Sequence, residues 1–160
     1  WEIDFQDLKV IALDTSIIGT AHGNLETPSL NFLRSALNSA KEKPVIVATH
    51  HPPVMTGIEK MDIQNLRDSD ELKEILSTYK GELKLICGHI HRNIVTQFGN
   101  VICQIAPGVS HAVTIDLREG SPNCLTKEPG SFLLHEIRDG ILTHQIQVDD
   151  YDGPYLFYPE

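Results

Sequence analysis

Two short clusters in this chain place imidazoles at spacings able to do chemistry, Thr49-His50-His51-Pro52-Pro53 and Gly88-His89-Ile90-His91. Imidazole is the commonest side-chain ligand for zinc and its neighbours and the usual proton carrier near neutral pH. In an extended segment His89 and His91 project to the same side, roughly 6.5 Å apart at ~3.3 Å per residue. That separation suits ligands of two metal ions better than two ligands crowded on one. Gly88 removes a side chain where the backbone must come close. Pro52 restricts His51 to extended geometry, which sets the exit of the chain and with it the direction of His50. His50, His89 and His91 would equally suffice for one zinc ion with an open position, so spacing alone leaves one metal or two as alternatives.

Each cluster follows a run that reads as a buried strand. Pro44–Thr49 ends at the first and Leu83–Cys87 at the second, and open α/β sheets place their ligands at the carboxyl ends of such strands. Upstream, Leu8–Leu13 reads as another buried strand running into Asp14-Thr15, where a strand-end Asp most often caps a loop. Thr27-Pro28-Ser29 offers cap chemistry for a helix whose apolar positions Leu30, Leu33 and Leu37 recur to about Ala40. Strand, helix, strand is the order of a crossover between parallel strands. Val54–Asp68 has no clean period and is expected to be an irregular, functional loop. Asp68, Ser69 and Asp70 open a short helix through Tyr79. Beyond the second cluster the pattern turns to strands: Ile94–Phe98 and Val101–Ile105 around Gly99-Asn100, His111–Asp116, then Phe132–Ile137 and Ile141–Val148 around Asp139-Gly140. Glu119–Gly130 is expected to be a polar loop and Tyr151–Glu160 an irregular tail.

The chain has 160 residues, enough for one domain, with 41% hydrophobic and 22% charged residues, ordinary globular values. Its formal charge of −9 argues against binding nucleic-acid phosphates or an anionic membrane surface. No apolar run approaches a membrane span. Three cysteines, Cys87, Cys103 and Cys124, fit neither a disulfide framework nor a CxxC site, so reduced thiols and a cytoplasmic location are expected. The chain starts at Trp1, without a signal-peptide pattern, and is expected to have been cut from something longer.

His50-His51-Pro52-Pro53 followed 39 positions after His50 by Gly88-His89-Ile90-His91 resembles the last two signature motifs of the calcineurin-like metallophosphoesterases. Leu13-Asp14-Thr15 leading to Gly23, Cys87 before the Gly-His-x-His, and Pro107-Gly108-Val109-Ser110-His111 resemble the branch holding class III cyclic-nucleotide phosphodiesterases and glycerophosphodiesterases. So does the tail Asp152-Gly153-Pro154-Tyr155-Leu156, and the likeness covers essentially the whole chain. It implies an α/β fold, the C-terminal half of a four-layer α/β/β/α metallophosphoesterase sandwich. It implies two divalent metal ions, Zn, Mn, Fe or Co, with His50 and His89 on the second and His91 on the first. It also makes His111 the catalytic residue approaching the substrate phosphate, and His51 a hydrogen-bonding partner that orients its neighbours. His22, His135 and His144 have no motif and are expected to be surface or sheet histidines.

The family's upstream Asp-x-His, Gly-Asp and Gly-Asn-His motifs do not occur, and Gly23-Asn24 is followed by Leu25. The expectation is therefore hydrolysis of small-molecule phosphodiesters, 3′,5′-cyclic nucleotides or glycerophosphodiesters, by a longer parent. The chain alone would be an incomplete, inactive site that forms a homo-oligomer or stays with its missing half. The alternatives are a regulatory domain that binds metal or a partner without hydrolysis, and a phosphomonoesterase or nuclease on the same scaffold.

Overall fold

Along Lys9–Ala12 (β2), Val45–Thr49 (β3) and Leu83–Cys87 (β4), every second side chain points to one face, and there Ile11, Val47 and Leu85 are completely buried. These three strands pair in parallel with Val10 opposite Ile46 and Ile46 opposite Lys84. Val101–Ile105 (β6) continues the parallel run beside β4. Glu2–Asp4 (β1) and Ile94–Phe98 (β5) close the two edges antiparallel, giving a six-stranded sheet in the order β1-β2-β3-β4-β6-β5. The computed structural model describes residues 1–158; Pro159 and Glu160, the end of the expected tail, lie outside the described residues. Tyr151–Tyr158 contain neither helix nor strand.

The apolar core lies between this sheet face and two helices, Thr27–Ala40 (α1) and Asp70–Thr78 (α3). Leu30, Leu33 and Leu37 of α1 and Leu72, Ile75 and Leu76 of α3 supply its other side. Pro28 sits in the first turn of α1, where its missing N–H is harmless, but the cap position is Glu26 and no side chain caps it, so the expected role of Thr27 and Ser29 is unused. Lys9 is buried on the same face. Its ammonium stands 2.6 Å from Ser39 Oγ, 3.3 Å from Glu2 Oε1 and 3.6 Å from Asp4 Oδ2, which offsets its desolvation and ties β1 to α1.

A hairpin of Ser131–Ile137 (β9) and Ile141–Gln147 (β10) turns at the expected Asp139-Gly140. Lys84, on the sheet face opposite the core, donates to Thr143 Oγ1 at 2.5 Å, which places the hairpin over that face. Phe132, Leu134, Leu142 and Ile146 point the other way and are exposed.

Two expectations are corrected, and one strand stands where none was expected. The segment 54–68 is not irregular throughout: Glu59–Asp62 (α2) is a one-turn helix, and Asp62 accepts from Thr56 and Gly57 backbone N–H groups at 2.8 and 2.9 Å. A single turn carries no period to read. The strand expected over 111–116 shrinks to Ala112–Val113 (β7), which pairs with Leu125–Thr126 (β8) inside the expected polar loop. Finally, Glu2–Asp4 is a strand because β2 offers it an open edge, a tertiary cause that three exposed residues cannot announce.

Candidate metal centre and substrate cavity

The in-register pairing of Thr49 with Cys87 brings β3 and β4 out of the sheet side by side. The ladder runs one step further, Gly88 N–H donating to the His50 carbonyl at 3.0 Å, while Thr49 Oγ1 donates to the His51 carbonyl at 3.1 Å and turns the chain. His50 and His89 therefore meet, with His50 Nε2 3.2 Å from His89 Nδ1. The extended geometry expected for 89–91 is wrong. His89 and His91 have φ of 69° and 55°, the left-handed region that side chains with a Cβ avoid at a cost of about 1–3 kcal/mol each. What holds them there is Ile90 between them, wholly buried in the core. With the Ile90 side chain directed inward, His89 turns to His50 and His91 turns away to His111.

His91 Nδ1 is 3.0 Å from His111 Nε2, and Ser110 Oγ is 2.9 Å from His111 Nδ1. The meeting follows from topology: β6 runs parallel to β4, Ala106 N–H extends their ladder to the Cys87 carbonyl at 2.7 Å, and Pro107–Ser110 turns His111 back over the loop. Gly108 permits the approach, since a Cβ there would lie 2.8 Å from His91 Cβ and closer still to the His111 carbonyl oxygen. Gly88 is less constrained than expected, because its added Cβ would meet His50 Nδ1 at an ordinary 3.4 Å.

His50, His51 and His89 offer ligand nitrogens that all lie within 4.8 Å of one another. His89 Nε2 is buried without a hydrogen-bond partner among the described residues, an orphan atom that a metal ion would satisfy. Burial, reinforced by the charges of His51, His50 and His91, holds the His89 imidazole at about 4, so it is neutral and ligand-ready at pH 7. Burial also lowers His51, with His50 adding to it and the Ala21 carbonyl opposing; burial and then His111 lower His91. The donor set therefore fits a borderline divalent ion. His51 is buried, and its Nδ1 lies 2.8 Å from Thr15 Oγ1. A Thr15 that donates leaves His51 an Nε2–H donor toward its neighbours; a His51 that donates leaves Nε2 as a ligand atom. The sequence placed Thr15 in the Leu13-Asp14-Thr15 stretch but did not disclose its bond to His51. Its signal was its place at the end of the β2 run, where it is buried despite being polar.

Of the remaining histidines, His135 stands 2.9 Å from Thr143 Oγ1 and His144 lies 3.9 Å from Glu136, both in the hairpin. Asp14 accepts from the Ser16 backbone N–H at 2.8 Å, the loop-capping role expected of it. Cys87 Sγ lies 3.3 Å from Thr49 Oγ1 and 3.9 Å from Cys103 Sγ, and all three cysteines are free thiols. A cavity of about 610 Å³ opens directly from His91 and His111 and runs beneath the β9–β10 hairpin.

An α/β sheet with imidazoles gathered beyond the carboxyl ends of its parallel strands forms a cluster able to hold a metal ion. The chain belongs to the calcineurin-like phosphoesterase family, whose sequence model matches residues 2–93, a stretch holding His50, His51, His89 and His91 but not His111. Such phosphoesterases use divalent metals. The chain is 39% identical over 156 residues to a probable glycerophosphodiester phosphodiesterase of Arcobacter nitrofigilis, covering 96% of this chain and 57% of that protein. It is 36% identical over 116 residues to a 3′,5′-cyclic adenosine monophosphate phosphodiesterase of Pseudomonas aeruginosa, covering 68% of this chain and 43% of that one. The chain thus spans about half the length of the curated relatives it matches. In fold it is similar to the GAP50 anchor of the inner membrane complex of Plasmodium, with a TM-score of 0.61 at 16% identity over 92% of this chain and 48% of that one. No helix among the described residues is long and apolar enough to cross a membrane.

Proposed function

We propose that the parent of this chain hydrolyses small-molecule phosphodiesters, 3′,5′-cyclic nucleotides or glycerophosphodiesters, and that this chain is the C-terminal part of its single domain. The observation that carries the reading is the meeting of two imidazole groups, His50–His51–His89 and His91–His111, beyond the carboxyl ends of the central strands and beside a cavity. Relatives bearing both substrate names support it. His50 and His89 would hold one divalent ion and His91 a second. Two such ions, Zn, Mn, Fe or Co, would offset phosphate charge and supply a hydroxide nucleophile at neutral pH.

The chain's own residues do the rest. Burial keeps His89 unprotonated, so that it need not shed a proton to bind metal. His51, fixed by Thr15, orients the rings around it. His111, its Nδ1 facing Ser110 Oγ, holds Nε2 3.0 Å from His91 Nδ1; with His91 turned to a metal ion, a phosphate oxygen would take the place of that contact and accept a hydrogen bond from Nε2–H. The acidic surface does not favour nucleic acid as substrate. Free thiols support a cytoplasmic location. The exposed apolar face of β9–β10 supports association with a second copy or with the remainder of the parent.

The test is hydrolysis of bis(p-nitrophenyl) phosphate. The parent should turn it over in a metal-dependent way, and the isolated chain should be inactive or nearly so. A metal-replete parent without activity would support the non-hydrolytic, regulatory reading instead.

A further inference from the structure

The cavity that opens from His91 and His111 is lined on its far side by a head-to-tail chain of uncharged hydrogen bonds. Buried Gln104 of β6 donates through Nε2 to Asn93 Oδ1 at 2.8 Å. Asn93, two residues after His91, donates through Nδ2 to Gln145 Oε1 of β10 at 2.7 Å, and Gln145 donates through Nε2 to Ser131 Oγ of β9 at 3.0 Å. Asn93, Ser131 and Gln145 all line the cavity. Each amide nitrogen in the relay has a second N–H that the relay does not use, and Ser131 keeps its hydroxyl proton. The relay thus offers the cavity a row of donors whose positions are fixed by their other bonds.

The rest of the lining sets the character of what fits. Ile58, Ile94, Ile115 and Leu117 make apolar walls. Arg92 is the cationic Lys/Arg side chain on the described lining, and it is engaged by Glu128 at 2.5 and 3.1 Å. Neither a second anionic group nor a cationic one finds a free counter-charge there. A cavity of about 610 Å³ lies within the usual range for small-molecule sites, and its lining mixes these apolar walls with polar side chains, Gln147 and Thr56 among them.

Resting on the phosphodiesterase reading, we infer that Asn93, Gln145 and Ser131 are the specificity-determining surface for one ester arm of the substrate. Gln104 positions Asn93 from beneath. The arm is an uncharged alcohol that presents hydroxyl or carbonyl oxygens to the relay and an apolar body to the isoleucine walls. Asn93 and Gln145 are exposed, so an arm lacking such oxygens is disfavoured by the hydrogen bonds it forgoes.

The test compares two diesters with the same p-nitrophenolate leaving group on the metal-replete parent, thymidine 5′-(p-nitrophenyl phosphate) and bis(p-nitrophenyl) phosphate. Their ratio of kcat/KM, measured on one preparation, does not depend on the fraction of folded enzyme. Gln145→Met keeps the length of the side chain and removes its donors. The ratio should fall about tenfold in favour of the bis-nitrophenyl ester, chiefly through a higher KM for the nucleoside ester. A ratio within twofold of wild type, with both esters hydrolysed, overturns the assignment and leaves the phosphodiesterase reading standing. A wild-type parent that hydrolyses neither ester overturns that reading, and this assignment with it.

Discussion

Replacing Gly108 by alanine asks whether the His91–His111 contact is built by the backbone turn before it. The added Cβ would fall 2.8 Å from His91 Cβ and nearer still to the His111 carbonyl oxygen, a backbone atom that cannot swing aside. Overpacking of this kind costs about 1–3 kcal/mol. The Gly108 carbonyl also accepts from Ser131 N–H at 3.0 Å, and a displaced turn would forfeit about 1 kcal/mol more. Together these predict a destabilisation of about 2–4 kcal/mol, or roughly 4–16 °C in Tm for a chain of this size. Gly88→Ala is the comparison, because its Cβ meets His50 Nδ1 at 3.4 Å and no backbone closer than 3.8 Å. It should melt within about 3 °C of wild type. Thermal denaturation followed by circular dichroism reads both, and the parent's kcat/KM should fall in Gly108→Ala more than in Gly88→Ala. Equal Tm losses in the two variants, or a Gly108→Ala protein that melts like wild type, would refute the steric argument.

His111→Ala in the parent should lower kcat/KM by about 10- to 1,000-fold with metal content unchanged, whereas His89→Ala should lose metal; kinetics paired with elemental analysis separates them. Zinc or manganese should bind the isolated chain weakly, and calorimetry should show that binding weakened further in a His50→Ala, His89→Ala double variant; identical titrations would remove the ligand assignment. Stability of the metal-free protein should be full above pH 6.5 and fall as pH drops toward 4, because the unfolded chain takes up a proton that His89 refuses in the fold. A wholly buried ring with that shift would contribute ~3 kcal/mol, and for this partly exposed one about 1–2 kcal/mol is expected; urea midpoints in chelator at pH 7.5 and 5 measure it, and in His89→Ala the difference should shrink. Light scattering at micromolar concentration should show the chain associated, and a monomer that binds no apolar dye would contradict the exposed-face argument.

What the sequence disclosed tracks what each signal depends on. The parallel core was legible because Val45–Thr49 and Leu83–Cys87 are near-continuous apolar runs, the mark of strands covered on both faces. The motif histidines were legible because they follow those runs directly. Their geometry was not: nothing in Gly-His-Ile-His announces left-handed backbone at two non-glycine residues, since it is the burial of Ile90 that enforces it. Asn93 and Gln145, and the pairing of Thr15 with His51, escaped notice for a related reason. Thr15, Asn93 and Gln145 are ordinary polar residues far apart in the chain, and only the stacking of the hairpin over the sheet makes Asn93 and Gln145 neighbours.

The β5–β6 hairpin separates the two halves of the site in the chain while leaving them adjacent in space. Its open end carries Ile94 opposite Ile105, next to the histidines, and its closed end is the exposed Gly99-Asn100 turn, five residues along each strand. The intervening length is thus spent travelling away from the chemistry and back again. A polypeptide opened at Gly99-Asn100, with new termini there, would keep His91 on one piece and His111 on the next without altering the ladder that aligns them. Exposed turns are where circular permutation and inserted domains are best tolerated. This one therefore provides a joint at which a reporter or a second folded module could be spliced between His91 and His111, subject to the packing of Lys73 and Ser77 of α3 against Gly99.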